Sequence, residues 1–470
     1  MDTIVSGKTN LPRRCEVPVQ RLMGPNGQFY ADPKPSPDET SFRQDNNSAA
    51  YYNSQYYLLH KNQVQPIPQV RQNALPYIEL ADYVPKDVAD AIAAAGRITF
   101  HAVGDTGAAK VSRSQTAATA IAHEAGVADA MAAEVQSQGV NGPAFFFNLG
   151  DIIYNFGEGQ YYYDQFYEPF REYDRPIFAI PGNHDGMVFG SSSSAPQVPT
   201  LAAFLTNFCA PEPGPSPDSG GLVRSVMTQP GVYFTLDAPF VSIIGLYSNV
   251  LDSGAGVISS QKGHFPLVDD QLTFLQSELK RLKPDREAGR RAVLLALHHP
   301  PLSADARHGG SSGELADIDA CCQAAGLWPD AVLSGHAHLY QRFTRLIQAK
   351  ETPYIVAGSG GFAATAPLGG LPNAPVKSGD HTLVINPIVE FGYLTVTTDA
   401  KTLTLTFKTA AKQQVMQRDS VTVDLKSGKI TSDPTGVPPT PLSPAPKKKG
   451  KSGLSPGAPK PRNPKRGKKK

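Results

Sequence analysis

The middle of the chain contains five short apolar runs, each closely followed by a short polar motif, and this pattern constrains the fold more than any other feature. Short apolar runs bounded by glycine or proline are typical of strands that are buried on both faces. Segments with helical patterning separate several of the runs, so the sequence predicts an α/β fold. The runs span residues 98–103, 144–149, 176–180, 292–297 and 330–333.

Four of the five polar motifs contain a glycine next to a residue that can bind a ligand. In open α/β sheets, ligand sites lie just beyond the carboxyl ends of the strands, and glycine lets the backbone turn sharply and approach an ion closely. We therefore expect the five strand ends to converge on one site. In chain order the motifs are Gly104-Asp105-Thr106-Gly107, Gly150-Asp151-Ile152-Ile153-Tyr154, Gly182-Asn183-His184-Asp185, His298-His299-Pro300 and Gly335-His336-Ala337-His338.

The aspartate, asparagine, tyrosine and histidine side chains of these motifs are suited to holding two metal ions side by side. Carboxylate, amide and imidazole donors favour iron, manganese or zinc over Cu(I) or an iron–sulfur cluster. His336 and His338 are two residues apart, so in extended backbone both rings face the same way. Paired metal ions are a common means of hydrolysing phosphate esters, which makes that chemistry the first to consider.

The five motifs together resemble the signature of the calcineurin-like metallophosphoesterase superfamily. Many members carry a histidine two residues after the first aspartate, where this chain has Gly107, and here a tyrosine stands three residues after Asp151. This exchange resembles the purple acid phosphatase branch. The resemblance runs from about residue 97 to about residue 409. It implies two packed β-sheets flanked by helices, a four-layer sandwich.

The resemblance also implies a role for each polar side chain at two metal ions, iron paired with iron, manganese or zinc. It gives Asp105, Tyr154 and His338 to the first ion, Asn183, His298 and His336 to the second, and Asp151 to both as a bridge. His299 could compete with His298 as a ligand, but the ligand-x-Pro spacing favours His298.

Three further residues are candidates for catalysis: His184, Asp185 and His308. Asp185 follows His184 directly, and an acid beside a histidine can keep the ring protonated as a donor to the leaving oxygen. The alternative is that His184 is only a structural partner of the site. His308 lies ten residues after His298, where the resemblance implies a histidine that contacts phosphate; the alternative is an exposed loop residue.

We therefore expect a hydrolase of phosphate monoesters in which a metal-bound hydroxide attacks phosphorus in line. A phosphodiesterase or nucleotidase of the same superfamily is an alternative, because paired ions perform the same chemistry on each substrate. A binding protein on an inactive phosphatase scaffold is a more remote alternative.

Composition indicates an organised centre with extensions at both ends. Residues 1–95 form an irregular N-terminal extension in this interpretation, and 96–431 form the main domain with a Ser/Pro/Gly-rich insert near 186–231. The segment 432–470 is Pro- and Lys-rich and is expected to be disordered. From residue 447 onward it holds eleven of the 44 basic residues and no acid, leaving 33 basic against 42 acidic side chains in the rest of the chain. We expect this tail to make weak contacts with polyanions.

No apolar run approaches the ~20 residues that a membrane span requires, and the first residues contain no apolar signal segment. The sequence therefore favours a cytoplasmic protein, with export not excluded. Helical patterning predicts helices over 114–138, 160–173, 200–208 and 271–283, and 420–425 is expected to be the last strand.

Overall fold

The computed structural model describes residues 25–31, 67–108, 117–154, 157–186, 200–250, 256–265, 267–411 and 414–433. Most of the predicted tail and part of both the N-terminal extension and the insert lie outside these residues.

Two β-sheets form the centre of the fold. Among the described residues the larger sheet has nine strands, in the spatial order β1 (Tyr77–Glu79), β5 (Phe234–Ala238), β6 (Val241–Gly245), β7 (Ala292–Leu297), β8 (Ala331–Ser334), β10 (Lys350–Ala357), β9 (Tyr340–Ile347), β12 (His381–Leu383) and β11 (Val376–Ser378). The smaller sheet has seven, in the order β16 (Lys429–Ser432), β15 (Gln414–Asp424), β14 (Thr402–Ala411), β13 (Gly392–Asp399), β2 (Arg97–Val103), β3 (Phe146–Asn148) and β4 (Ile177–Ala179).

The sheets pack face to face, and helices cover their outer sides. Tyr340 of β9 stacks on Phe407 of β14, with ring centroids 4.1 Å apart, so side chains from both sheets meet in one core. The helices of the described residues are α1 (Lys86–Ala95), α2 (Ala117–Gln138), α3 (Asn183–Gly186), α4 (Ala202–Phe208), α5 (Asp270–Glu287) and α6 (Ser312–Ala325). Helix α2 packs on β13 and β14, and α5 packs on β6 and β7 and pairs with α6. The predicted fold class is confirmed.

Each of the five apolar runs forms a strand whose bounds agree with the prediction within a few residues. Strands β2, β3 and β4 pair in parallel in the smaller sheet, and β6, β7 and β8 pair in parallel in the larger one. Their side chains are almost completely buried, as continuous apolar runs require. Parallel pairing brings the carboxyl ends of these strands to a common edge of each sheet.

The predicted helix over 160–173 is wrong. The chain forms a 3₁₀ turn, Gly159–Tyr161, and a π-helical turn, Tyr163–Tyr167. Pro169 lacks a backbone N–H and its ring clashes with the preceding turn, so a regular α-helix cannot continue through it. Arg224 is buried beside this segment and donates to the carbonyl oxygens of Phe170 and Tyr173.

The predicted last strand over 420–425 is also wrong in its extent. It is the second half of β15, and the chain turns at Gly428, where φ is 65°, to add β16 at the edge of the sheet. The next residue, Asp433, pairs with the buried guanidinium of Arg342 at 2.9 Å. The fold therefore includes residues as far as Asp433.

Residues of the predicted N-terminal extension also belong to this body. Strand β1 pairs in parallel with β5, with Ile78 opposite Leu236. The segment 25–31 is tied to the insert, because the backbone of Phe29 exchanges hydrogen bonds with Ser225. No helix in the described part of the chain is long and apolar enough to cross a membrane.

Candidate metal centre

The polar motifs meet where the strand ends of the two sheets face each other. Three of their residues, Asp105, Asp151 and His336, adopt left-handed backbone conformations with φ of 57°, 53° and 67°. Such conformations cost of order 1–3 kcal/mol in residues other than glycine and cluster at functional sites. A Cβ at Gly182 would lie 2.2 Å from Oδ1 of Asp151, so only glycine permits this close approach.

The first donor cluster is built around Asp105, which is completely buried. The hydroxyl of Tyr154 donates to its Oδ1 at 2.9 Å, and Nε2 of His338 lies 3.2 Å from the same oxygen. Its Oδ2 accepts the backbone N–H of His336 at 2.7 Å. The first and fifth motifs are therefore joined through one carboxylate.

The second cluster brings His298, His336 and Asn183 together. The amide oxygen of Asn183 lies 3.2 Å from Nε2 of His298 and 3.0 Å from Nδ1 of His336. Ligand atoms of Asp151, His298 and His336 all lie within 4.8 Å of one another. Three strand ends from two sheets thus supply one compact set of donors.

Asp151 lies between the two clusters. Its Oδ1 accepts the backbone N–H of His184 at 2.8 Å. Its Oδ2 is buried and lies 3.3 Å from Nε2 of His298. On the other side is Tyr154, whose pKa is raised by burial and then by the charges of Asp105 and Asp151. A buried carboxylate is costly unless it is paired with a positive charge or coordinates a metal ion.

These donors fit a pair of metal ions. Burial and the charges of Asp105 and Asp151 raise the pKa of Tyr154 well above its usual value, so a phenolate there would require a nearby cation. Burial alone would lower the pKa of His298, but Asp151 raises it to about 9. Metal binding must therefore displace a proton from His298, as expected where ligands bind in deprotonated form.

The two candidates of the third motif point in different directions. The ring of His184 packs 4.4 Å from that of Tyr154 and is partly exposed at the site. The carboxylate of Asp185 is buried and accepts the backbone N–H groups of Gly182, Ile152 and Ile153. Because Asn183–Gly186 is a helical turn, consecutive side chains diverge by roughly 100°.

The carboxylate of Asp185 thus binds backbone N–H groups, and the catalytic role expected for it stays a prediction. Its hydrogen bonds hold the second and third motifs together, and burial together with the charge of Asp151 raises its pKa to about 7. It faces the backbone of the second motif and not the open side of the site.

His308 and His299 both contact His336. The ring of His308 lies 4.3 Å from His336 and 5.4 Å from His338, so it borders both clusters. Its loop is fixed by Asp305, which accepts the backbone N–H of His308 at 2.7 Å. The ring of His299 also lies 4.3 Å from His336, but its Nδ1 is 2.8 Å from the Ser248 hydroxyl. His298, and not His299, belongs to the compact donor group.

Sequence reasoning missed one wall of the site, the segment 358–362, which we call the glycine wall. A Cβ at Gly358 would lie 2.7 Å from Oδ2 of Asp105, and one at Gly360 would lie 2.4 Å from the carbonyl oxygen of Gly104. The backbone N–H of Phe362 donates to the carbonyl oxygen of Asp105 at 3.1 Å. The only sequence signal was a glycine run after an apolar strand, which on its own does not identify a site.

Comparison with known proteins places the matched region across all five motifs. Residues 98–340, slightly more than half of the chain, match the family model of the calcineurin-like phosphoesterases. No curated protein matches the sequence.

Solved structures show similar folds at low sequence identity. A purple acid phosphatase from yellow lupin seeds is 15% identical over 74% of this chain and 57% of its own, with a TM-score of 0.47. This chain thus covers less than two thirds of the lupin protein. An inner-membrane-complex anchor protein from Plasmodium is 14% identical over 72% of this chain and 90% of its own, with a TM-score of 0.46. A dimetal phosphatase from Danio rerio is 13% identical over 68% and 98%, with a TM-score of 0.36.

Proposed function

Because this chain belongs to the calcineurin-like phosphoesterase family, we propose that it is a phosphoric ester hydrolase, and specifically a binuclear, metal-dependent phosphomonoesterase. The observation that carries this proposal is the position of Asp151 between two donor clusters. Its Oδ2 is 3.3 Å from Nε2 of His298, and the charge of the same carboxylate helps to raise the pKa of Tyr154 in the other cluster. One carboxylate can hold two ions at the ~3.5–4 Å spacing that paired sites use.

The residues divide between two ions in this proposal. Asp105, Tyr154 and His338 hold the first, Asn183, His298 and His336 hold the second, and Asp151 is shared by both. When bound, the ions supply a water molecule of lowered pKa and positive charge for the phosphoryl oxygens. The backbone supports this assignment at His298, because Leu149 accepts a hydrogen bond from its Nδ1 at 2.9 Å and leaves Nε2 for a metal. Such bonds orient ligand histidines.

His184 and His308 are the proposed contacts to substrate. His184 is partly exposed beside Tyr154, and His308 lies next to both His336 and His338. We assign His184 the proton transferred to the leaving oxygen, because a positioned imidazole is suited to that step near neutral pH. We assign His308 a hydrogen bond to the phosphoryl group, which its buried and otherwise unpartnered Nε2 can make.

We further propose the purple acid phosphatase type of site, with iron in the first position. The carrying feature is Tyr154, whose hydroxyl lies among Asp105, Asp151 and His338. A trivalent ion favours the phenolate form of such a residue, because metal ions deprotonate their ligands. Manganese or zinc then fits the second position as well as iron does.

Turnover of paired substrates tests the assignment to monoesters. The purified full-length protein should hydrolyse a chromogenic aryl phosphate with a higher kcat/KM than the corresponding bis-aryl diester or a 5′-nucleotide. A higher kcat/KM for the diester would replace the proposal with a phosphodiesterase, and a preference for the nucleotide would replace it with a nucleotidase. Absence of all three activities in protein that holds metal would favour a binding protein on this scaffold.

A further inference from the structure

One aromatic residue outside the five motifs, Phe362, contacts three of the four proposed ligands of the first ion. The ring of Phe362 stacks on Tyr154 with centroids 3.5 Å apart and an angle of 3°. Its edge contact with His338 is 5.1 Å between centroids at 86°. Its backbone N–H donates to the carbonyl oxygen of Asp105.

This stack is local to the site and is not part of the general core. Among the described residues, Tyr154 and Phe362 form a buried hydrophobic cluster separate from the main one, with Ala363 as a partly buried neighbour. Phe362 is 7% exposed and Tyr154 is fully buried. The stack therefore does not serve to fill the interior between the two sheets.

The two rings form a parallel, face-to-face sandwich, which aromatic pairs do not favour without an external constraint. Offset or edge-to-face arrangements are favoured over a parallel sandwich, because the negative faces of two rings repel each other. The glycine wall imposes the sandwich, since Gly360 and Phe362 bond to the backbone of Gly104 and Asp105. The plane of the Tyr154 ring is thereby fixed while its hydroxyl points at Oδ1 of Asp105.

We propose that Phe362 is a positioning residue for Tyr154, which fixes the orientation of the phenol at the first metal and makes the bound phenolate a stronger electron donor. The second effect follows from the sandwich, because negative charge on the Tyr154 ring faces the negative π-face of Phe362 at 3.5 Å. A destabilised phenolate gives up electron density to a ferric ion more readily. This inference rests on the proposed function, specifically on Tyr154 as an iron ligand.

The visible absorption band of the ferric protein reports this effect independently of turnover. The full-length chain, its Phe362→Leu and Phe362→Tyr variants and Tyr154→Phe are each saturated with ferric iron. Phe407→Leu is the matched control, because Phe407 forms a similar parallel stack, on Tyr340 at 4.1 Å and 6°, within the core between the two sheets. Iron content, the band maximum and the extinction coefficient per iron are measured for each.

Phe362→Leu should shift the band to shorter wavelength and lower its intensity, whereas Phe362→Tyr should retain the wild-type band because it keeps the stack. Loss of iron from Phe362→Leu together with retention in Phe362→Tyr would support the same role. Phe407→Leu should leave the band unchanged even if it lowers the melting temperature.

An unchanged band in Phe362→Leu, alongside a bleached Tyr154→Phe, would overturn the role of Phe362 and leave the proposed function intact. Colour retained in Tyr154→Phe, or a colourless iron-loaded wild type, would instead remove Tyr154 as an iron ligand. That result would overturn the inference, because the inference requires Tyr154 to bind iron.

Discussion

The imidazole of His298 lies between the carbonyl oxygen of Leu149 and the carboxylate of Asp151. Its Nδ1 is 2.9 Å from the Leu149 oxygen, and its Nε2 is 3.3 Å from Oδ2 of Asp151. A carbonyl oxygen can only accept, so Nδ1 carries a proton and Nε2 faces the acid. A strand end of the smaller sheet thus orients a proposed ligand from the larger sheet, and the site depends on how the two sheets pack.

This arrangement predicts that metal uptake releases protons. Asp151 raises the pKa of His298 to about 9, so below that pH the metal-free protein holds a proton on Nε2 that an ion must displace. The proton on His298 should therefore make the apparent affinity for Zn²⁺ rise about tenfold per pH unit between pH 6 and 8, and this contribution should level off near pH 9. Titrations in buffers of different ionisation enthalpy would count the protons. An affinity that is constant over this range would show that His298 is neutral before the ion binds.

The same raised pKa has a consequence for the metal-free fold. A histidine with a raised pKa stabilises the folded state fully below its unfolded pKa of about 6.5, and this contribution is lost as pH rises through about 9.

Replacement of His184 should affect substrates according to their leaving groups. A proton donor matters when the departing alkoxide is basic and matters little when the leaving group is already stable. His184→Ala should lower kcat for alkyl phosphates by about 10²-fold or more and for nitrophenyl phosphates much less. His264→Ala, an exposed histidine without a motif, should change neither. Equal losses across the series would exclude His184 as the acid.

Acid stability should depend on Glu134, which lies on helix α2. Glu134 accepts from Lys408 at 2.7 Å and from the Tyr393 hydroxyl at 3.0 Å, and it lies 3.5 Å from His101. Burial alone would raise its pKa, but His101 and Lys408 lower it to about 2. A lowered acid pKa stabilises the fold above its unfolded value of about 4.5, and this contribution is lost as pH falls through about 2.

Glu134→Gln should therefore lower the free energy of unfolding at pH 7 by about 1–3 kcal/mol, with a smaller loss at pH 3. Burial lowers the pKa of His101, so Lys408 is the charged partner at neutral pH. Glu287→Gln serves as control, because Glu287 forms an exposed pair 3.8 Å from Lys283 and should matter little. Urea unfolding at several pH values measures both. A loss that does not vary with pH would mean that Glu134 acts by packing alone.

The basic C-terminal segment should bind polyanions without contributing to turnover. Eleven positive charges and no acid after residue 446 would release counterions from nucleic acid, with binding that weakens steeply as salt rises. A chain that ends after Asp433, which keeps the pair with Arg342, should retain full kcat/KM and lose this binding. Equal DNA affinity of the truncated and full-length proteins at low salt would refute the prediction.

The strands and most donors could be predicted from the sequence because their signals are local. A buried strand requires a continuous apolar run, and a motif such as Gly150-Asp151 predicts both a sharp turn and a candidate ligand. The direction of the Asp185 side chain could not be predicted in this way. Its direction depends on a helical turn at Asn183–Gly186, and its partners, Ile152 and Ile153, belong to another motif.

Long-range contacts and proline explain the remaining differences. Phe362 lies 208 residues from Tyr154 in the chain, and no pattern in the sequence around Phe362 predicts that the two rings stack. The aromatic residues of 160–173 have helical spacing, but Pro169 prevents a regular helix. Such features depend on tertiary packing, which periodicity does not encode.

The most direct test of the account is the number of metal ions bound by the wild type and by Asp151→Ala, measured together with turnover of an aryl phosphate. Asp90→Ala is the control, because Asp90 is an exposed acid on α1 paired with Lys86. The wild type and the control should hold two ions per chain and turn over equally. Asp151→Ala should hold at most one ion and lose turnover by at least about 10³-fold while keeping its fold by circular dichroism. Two ions in Asp151→Ala, near-normal turnover in that variant, or a fully active wild type with a single ion would contradict the shared site.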